Sequence, residues 1–333
     1  MPRGPRLDAP GTLHHVVARG LDRQRIFRDD RDRDDFVRRL AGLVKDGVFL
    51  VYAWALLPNH FHLLVRTGAR PLARAMRSLL TGYAGAFNRR HRRTGHLFQN
   101  RYRSTVVDEE PYFLELIRYL HLNPLRAGVV GDLTDLERYA YCGHGALASG
   151  RPCPWQETER VLRLFGGRAR QARRLYKAFV AEGVTHGRRP DLMGGGLIRS
   201  AGGWAAVADL RRGREAFCAD ERILGRSEFV EQVLRDIERE EAKRERIARQ
   251  APPLAALAER VARAAQMPVE ALLGGGRRRE VTRARAGLEY LWVEVLGRSG
   301  RALGRELRVR PESVLRGARR GREERGRWDR LLG

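Results

Sequence analysis

The order of apolar segments along residues 12–124 constrains the fold of this chain more than any other feature of its sequence. Segments rich in β-branched and aromatic residues alternate with stretches in which apolar residues recur at helical spacing. The predicted strands cover residues 12–18, 49–57, 60–66 and 98–107, and the predicted helices cover about 32–44, 71–91 and 110–121. This order predicts a ferredoxin-like α+β unit, in which helices pack on an antiparallel sheet.

The rest of the chain divides at Pro252-Pro253, a pair that interrupts the helical pattern. We expect an α+β domain over residues 1–150, a helical connector over 151–251 and an all-α domain over 252–333. In the last segment, helices are predicted at 254–265, 281–296, 302–307 and 311–320. Two short helices separated by a tight turn are typical of a helix-turn-helix.

The charge balance indicates the kind of partner. The chain has 65 Lys and Arg against 40 Asp and Glu, which gives a formal net charge of +25 and a pI near 11.3. Such an excess predicts a polyanionic partner. A membrane surface is the competing interpretation, but the sequence has no long apolar run and no signal-peptide pattern. We therefore expect a cytoplasmic, nucleoid-associated protein with no membrane partner.

Two histidines in the third predicted strand could form half of a metal site. His60 and His62 are two residues apart, so in a strand they project from the same face while Phe61 projects from the other. Taken alone, such a pair is more often a surface or packing feature than a ligand pair. The metal interpretation therefore needs further residues nearby.

The third predicted helix offers such residues in Tyr119 and Asn123, which are four residues apart and share a helix face. We expect this helix to end near Asn123-Pro124 because proline disfavours helical continuation. From the helix alone, a core tyrosine is the better interpretation. A tyrosine that attacks a phosphodiester also needs charge neutralised on the phosphate. Mg²⁺ or Mn²⁺ held by two histidines and an amide oxygen could provide this neutralisation.

Several linked motifs go beyond the histidine pair. The segments PNHFHLLV, GHLFQNRYRS and YFLELIRYLHLNPLRAG, and the opening MPRGPRLDAPGTLHHVVARGLDRQRIF, resemble the REP-associated tyrosine transposases, a group of single-tyrosine HUH enzymes. The resemblance covers about residues 1–150. It implies that His60 and His62 bind the metal, that Tyr119 is the nucleophile, and that Asn123 supplies a third ligand. In shorter relatives this last position is commonly Gln, so Asn123 departs from their pattern.

The resemblance also implies an activity. The expected reaction is cleavage of single-stranded DNA at palindromic hairpin elements, with a 5′-phosphotyrosine intermediate and a free 3′-OH that can rejoin. The alternative from another class is a non-catalytic, sequence-specific DNA-binding regulator that retains the HUH fold. A replication or conjugation nuclease is a nearer alternative, but such enzymes usually carry a helicase segment, and the sequence has no GxxxxGK[ST] loop. Both a monomer and a homodimer are compatible with the sequence.

Arginines on both halves of the chain are the predicted DNA contacts. Near the predicted site these are Arg89, Arg90, Arg101 and Arg103. Residues 254–320 resemble the DNA-binding domain of the bacterial replication initiator. That resemblance implies contacts with flanking duplex, to phosphates from a basic loop and to the major groove from a recognition helix. The matching positions are Arg277, Arg278, Arg279 and Arg283 for the loop, and Ser313, Arg316, Arg319 and Arg320 for the helix.

Overall fold

The computed structural model divides the chain into two compact units, Met1–Glu238 and Arg239–Gly333. It describes residues 7, 9–68, 70–187, 189, 192, 220, 222–274, 276 and 278–332. Arg277, one of the predicted phosphate contacts, lies outside these residues. Across the described parts of both units, no helix is long and apolar enough to cross a membrane.

The first unit is built on a five-stranded sheet with the strand order β2-β3-β1-β4-β5. Its strands are β1 (Leu13–Arg19), β2 (Phe49–Leu57), β3 (His60–Thr67), β4 (Arg103–Val107) and β5 (Ile223–Leu224). Strands β1 to β4 pair antiparallel, in the order of a β-α-β-β-α-β unit, and β5 adds a parallel edge. The predicted α+β fold is confirmed, whereas β5 is too short for its sequence pattern to predict.

Helices cover both faces of this sheet. Those of the first unit are α1 (Asp30–Lys45), α2 (Leu72–Arg90), α3 (Glu109–Arg126), α4 (Leu133–Arg138), α5 (His144–Ala148), α6 (Glu159–Arg163) and α7 (Ala169–Glu182). A further helix, α8 (Ser227–Gln250), continues past the division between the units. Helix α1 starts where Asp29 accepts a hydrogen bond from the Asp32 amide, as an N-cap residue does.

The two faces of the sheet bury different sets of side chains. Phe61 and Leu63 of β3 lie in a core with Phe36 of α1 and Met76 of α2. Leu64 belongs instead to the core that contains Ile117 and Leu120 of α3. Because side chains alternate along a strand, the even-numbered residues of β3 face α3. His60 and His62 are therefore on the same side of the sheet as α3.

Helix α3 does not end at Asn123-Pro124, where the sequence predicts its end. It continues to Arg126 with Pro124 inside it. Proline has no N–H to donate to the carbonyl of Leu120, but the side-chain amide of Asn123 donates to that oxygen at 3.4 Å and to Tyr119 O at 3.0 Å. The amide thus replaces the hydrogen bond that Pro124 cannot make, and the last turn stays helical.

Helix α7 shares the core of α3, although the sequence assigns it to a separate connector over residues 151–251. Tyr176 and Val180 of α7 are buried in the cluster that holds Ile117 and Leu120. The structure therefore has two compact units where the sequence predicts three segments, because the apolar face of α7 is buried within the first unit. The roles assigned to the three segments stay predictions.

The predicted fourth strand is shorter than its sequence pattern. Only Arg103–Val107 is a strand, while Phe98 makes an isolated bridge to Gly20 and residues 99–101 form a bend. Pairing between β1 and β4 accordingly stops at Val17 and Arg103. The last part of β1 is left beside the bend at 99–101.

The described residues of the second unit from Leu254 onward form helices and turns. The helices are α9 (Leu254–Ala264), α10 (Val269–Leu273), α11 (Arg279–Tyr290) with a π-helical continuation (Leu291–Val295), α12 (Gly300–Glu306), α13 (Pro311–Arg322) and α14 (Arg325–Trp328). Helix α11 packs closely on α13, where a β-carbon at Gly321 would overlap the backbone oxygen of Ala286. This approach requires glycine because the obstacle is backbone and cannot rotate away.

The close packing of α11 on α13 leads to a stability prediction. Gly321→Ala should lower the free energy of unfolding of the second unit by about 1–3 kcal/mol, the usual destabilisation from overpacking. The control is Gly326→Ala on α14, where a β-carbon meets nothing within 4 Å. That change should be neutral or stabilise by up to about 1 kcal/mol. Urea unfolding monitored by tryptophan fluorescence measures both, and equal midpoints for the two variants would contradict the packing argument.

Candidate active site

The histidines predicted as ligands lie together beneath Tyr119. The ring centroids of His60 and His62 are 5.1 Å apart, and the His62 ring is 6.2 Å from the ring of Tyr119 on α3. Tyr119 is only 8% exposed. The sheet supplies the histidines and the helix supplies the tyrosine and Asn123. Side chains separated by about sixty positions in the sequence thereby become neighbours.

A third histidine, His15, belongs to this group and was not predicted. Its Nε2 lies 3.0 Å from Nδ1 of His62, the two rings stack at 5.3 Å, and its ring is 6.3 Å from that of Tyr119. The alternation of β1 places His15 on the same face as Leu13. The adjacent His14 points to the opposite face. Because alternate residues of a strand share a face, one histidine of the His14-His15 pair had to face α3, and this was the sequence signal for His15.

Hydrogen bonding sets the tautomer of His60. Its Nδ1 donates to Oδ1 of Asn59 at 2.6 Å. Because an amide oxygen only accepts, Nδ1 carries the proton and the lone pair is on Nε2. Histidine ligands of metals usually have such an outer partner, which orients the ring and raises its basicity.

Both predicted ligands are uncharged near neutral pH. Burial, followed by the positive charge of Arg19, lowers the pKa of His60 to about 4. Burial also holds the pKa of His62 well below its usual value, with His15, His60 and Arg19 adding to the effect. Metal ligation requires neutral imidazole, so the two side chains are in the form that binds an ion.

The donor set fits a divalent cation. His60 offers Nε2, and Asn123, whose Nδ2 donates to backbone oxygens, keeps Oδ1 for another contact. Two imidazoles and one amide oxygen suit Mn²⁺ and are tolerated by Mg²⁺, provided substrate oxygens fill the remaining positions.

Another group of potential ligands lies on α1 and α2, where Asp29, Asp32 and His91 approach within 4.8 Å. Asp29 caps α1, and Asp32 accepts hydrogen bonds from the Arg28 amide and from Arg90 and His91. These contacts account for the cluster as a structural feature of the helix start. It lies on the face of the sheet opposite to Tyr119.

Opposing effects act on the ionisation of Tyr119. Burial raises the pKa of its phenol, while the charges of Arg126 and Arg19 and a hydrogen bond from Asn123 act in the other direction. The net shift is upward, so the phenol is protonated at neutral pH. The guanidinium carbon of Arg126 lies 5.4 Å from the centre of the tyrosine ring. Arg126 was not predicted as a site residue because the helix was expected to end before it.

These residues line one open cavity of about 690 Å³, which we call the tyrosine pocket. Its volume falls in the range of pockets that bind small ligands or parts of larger ones. The described lining contains four arginines and no carboxylate. The lining residues are Arg19, Arg23, Leu57, Asn59, His60, His62, Tyr119, Asn123, Arg126, Ala127 and Arg189.

A second cavity adjoins the first and contains two predicted DNA contacts. We call it the β1–β4 groove, and its lining includes His15, Arg19, Gln99, Asn100, Arg101, Arg103 and Thr105. Arg19 lines both cavities. Arg101 and Arg103 are exposed, so the structure brings both to the neighbourhood of the tyrosine pocket.

The other two predicted contacts of the first unit lie elsewhere. Arg89 and Arg90 are at the end of α2, which packs on the face of the sheet opposite to α3. Arg90 is paired with Asp32 and lies 3.7 Å from Asp35. Buried carboxylates therefore hold this guanidinium on the face of the sheet opposite to Tyr119.

The predicted contacts of the second unit lie on α11, on α13 and just before α11. Arg316, Arg319 and Arg320 are exposed on α13, and Ser313 accepts a hydrogen bond from Arg316 at 3.3 Å. Arg278 and Arg279 are exposed at the start of α11. Arg283 is paired with Glu324 at 2.6 Å, although more than half of its side chain is exposed. A cavity on this surface is lined by Arg279, Glu280, Thr282, Arg283, Ala286, Arg320, Gly321, Glu323 and Glu324.

Comparison with known proteins gives one family match. Residues 11–123 match the family model described as "Transposase IS200 like". A solved structure of a REP-associated tyrosine transposase bound to a REP hairpin is 18% identical, with a TM-score of 0.38, and the match covers 46% of this chain and 89% of that one. No curated protein matched the sequence. The family match spans His15, His60, His62, Tyr119 and Asn123.

Proposed function

We propose that the chain is a metal-dependent endonuclease and strand transferase of single-stranded DNA, since residues 11–123 match the IS200-like transposase model. Its substrate would be a palindromic hairpin element, a choice that rests on the motif resemblance described above. The observation that carries the proposal is that Tyr119, His60 and His62 meet in one arginine-lined pocket. A regulator that only binds DNA would have no use for this combination.

The chemistry assigned to Tyr119 is nucleophilic. Its phenol oxygen attacks phosphorus, a bond forms between tyrosine and the 5′-phosphate, the phenolic proton leaves, and the 3′-oxygen departs as a free hydroxyl. Attack by another 3′-OH on the phosphotyrosine reverses these steps and joins two strands. The covalent bond conserves the energy of the phosphodiester, so strand transfer needs no nucleoside triphosphate.

The metal would be held by His60, His62 and Asn123. When bound, Mg²⁺ or Mn²⁺ supplies positive charge to the phosphoryl oxygens and positions the phosphate. The protein itself orients these ligands. Asn59 sets the His60 tautomer, and the stacked His15 holds the His62 ring through their shared hydrogen bond. Burial keeps both imidazoles neutral and available for binding.

The β1–β4 groove is the proposed path of the single strand. Arg101 and Arg103 supply positive charge for the backbone, and Gln99 and Asn100 supply amide donors and acceptors for bases. The groove shares Arg19 with the tyrosine pocket. A strand that lies in the groove can therefore deliver a phosphodiester to Tyr119 without leaving the arginine-lined surface.

We propose that the second unit binds duplex DNA through a helix-turn-helix formed by α12 and α13. The four residues 307–310 join the two helices, and Arg316 and Arg319 are exposed on the second one. Recognition helices carry such residues into the major groove. Binding of duplex beside the hairpin would raise the local concentration of substrate at the first unit without any further catalytic group.

The central test of this function replaces the proposed nucleophile. Tyr119→Phe keeps the ring and its packing but removes the attacking oxygen, so cleavage should disappear while the melting temperature barely changes. Wild-type protein incubated with hairpin-bearing single-stranded DNA and Mn²⁺ should form an adduct that survives denaturing gels, and peptide mapping should locate it on Tyr119.

The matched control is Tyr112→Phe, on the same helix and two turns earlier. Tyr112 packs against the α3 core and is not among the residues lining the tyrosine pocket. This variant should keep much of its activity. An adduct on any other residue, or undiminished cleavage by Tyr119→Phe, would exclude the mechanism. Absence of both cleavage and adduct with the wild-type protein would favour the DNA-binding regulator.

The metal site has its own prediction. Changing His60 and His62 together to Ala should abolish Mn²⁺ binding, measured by calorimetry, and should abolish cleavage. DNA affinity should change little, because the arginines provide most of the charge that attracts phosphates. Metal-independent cleavage by the double variant would show that these histidines serve another purpose.

Duplex binding by the second unit can be tested separately. Arg316→Ala with Arg319→Ala should weaken duplex binding by about 1–3 kcal/mol for each base contact that is lost in the major groove. The matched double variant changes Arg260 and Arg263, which are exposed on α9. It should keep the wild-type affinity for duplex DNA, and cleavage of a short hairpin should persist in both variants. Equal effects of the two double variants on duplex binding would refute a recognition role for α13.

A further inference from the structure

We infer that Arg19 and Arg126 form a clamp that binds the phosphoryl group attacked by Tyr119. This inference rests on the function proposed above and adds two catalytic residues to it. Neither arginine stands out in the sequence among so many others. What distinguishes them is their placement on two different elements beside the same tyrosine.

Arg19 lies where the β1–β4 groove meets the tyrosine pocket. It is the last residue of β1, and its register partner on β3 is His60. Opposite residues in adjacent strands project from the same face, so this exposed guanidinium and the His60 ring share one side of the sheet. Its charge influences His60, His62 and Tyr119. A phosphate that passes from the groove to Tyr119 must therefore pass Arg19.

Arg126 approaches Tyr119 from the helix side. Two turns separate the two residues on α3, and the guanidinium carbon lies 5.4 Å from the tyrosine ring centre. Nη2 donates to Gly183 O at 3.1 Å, whereas Nε and Nη1 are buried with no hydrogen-bond partner in the described structure. A half-buried cation whose buried N–H groups make no hydrogen bonds is unfavourable, and an incoming anion would relieve this state.

Acidic residues do not neutralise this clamp. The described lining of the tyrosine pocket contains no carboxylate. Among its arginines, Arg189 is paired with Glu115 at 3.1 Å, whereas no carboxylate partner of Arg19 or Arg126 occurs in the described parts of the chain. Positive charge fixed in place before the substrate arrives stabilises the negative charge that develops on a phosphoryl group during attack.

The test measures the chemical step separately from DNA binding. Arg19→Gln and Arg126→Gln should each slow single-turnover adduct formation at saturating hairpin DNA by about 100-fold, the usual effect of losing one such donor. Their dissociation constants for the same DNA should stay within about threefold, because many other arginines contribute to affinity. Arg19→Lys should recover part of the rate. The control is Arg31→Gln on α1, an exposed arginine outside both cavities.

A second measurement needs no cleavage and uses the Tyr119→Phe background. Once the cleaved position is mapped, that phosphate is replaced by a neutral methylphosphonate. The Tyr119→Phe protein should bind the methylphosphonate DNA more weakly than the unmodified DNA. The protein that carries both Tyr119→Phe and Arg19→Gln should bind the two DNAs equally. Because Arg19 is exposed, this variant should fold even if the variant of the half-buried Arg126 does not.

The outcomes distinguish failure of the clamp from failure of the proposed nuclease function. A wild-type adduct together with arginine variants that match Arg31→Gln would overturn the clamp and leave the nuclease standing. The clamp would also be overturned if the Tyr119→Phe protein prefers unmodified DNA over methylphosphonate DNA by the same factor with and without Arg19→Gln. If wild-type protein forms no adduct with hairpin DNA, the proposed function fails and the clamp fails with it.

Discussion

The candidate site depends on the continuity of α3 through Pro124. A proline inside a helix removes one hydrogen bond and usually ends or kinks it. Here the Asn123 amide donates to the carbonyl that Pro124 leaves without its helical partner, and the helix reaches Arg126. Tyr119, Asn123 and Arg126 are therefore on one face of one rigid element. If the helix stopped at Asn123, Arg126 would belong to a loop and its distance from Tyr119 would no longer be fixed by helical geometry.

The position of α3 over the sheet is held by a second buried interaction. The Tyr176 hydroxyl of α7 lies 2.7 Å from Nδ1 of His121 and 2.9 Å from Nδ1 of His144. Since a hydroxyl has a single proton, it donates to one imidazole and accepts from the other, so the two rings have different tautomers. Burial lowers the pKa of both histidines and keeps them uncharged. This polar link ties α3 to α5 and α7, on the side of the helix away from the sheet.

The sequence predicts the parts of this molecule in which periodicity is strong. Strands β1 to β4, helices α1 to α3 and helices α9, α11, α12 and α13 were predicted, because burial on one face produces a regular pattern. The short helices α10 and α14 were not predicted. The meeting of His60, His62 and Tyr119 was also expected. His15 was missed because only one histidine of the His14-His15 pair lies on the α3 face of the sheet, and a single histidine on a strand face resembles any packed residue. Arg126 was missed because the compensating hydrogen bond of Asn123 cannot be read from residue type. The two-residue strand β5 is too short to carry a period.

Charge is distributed so that metal binding and phosphate binding use different groups. The histidines that would hold the metal are neutral, because burial outweighs their tendency to be protonated. They add no charge to attract DNA and do not repel a cation. The arginines beside them are permanently charged and repel a free cation, so the tyrosine pocket favours metal most when a phosphate is already present to offset that repulsion. A site of this kind would bind its ion weakly alone and more tightly together with DNA, which couples metal loading to the arrival of substrate.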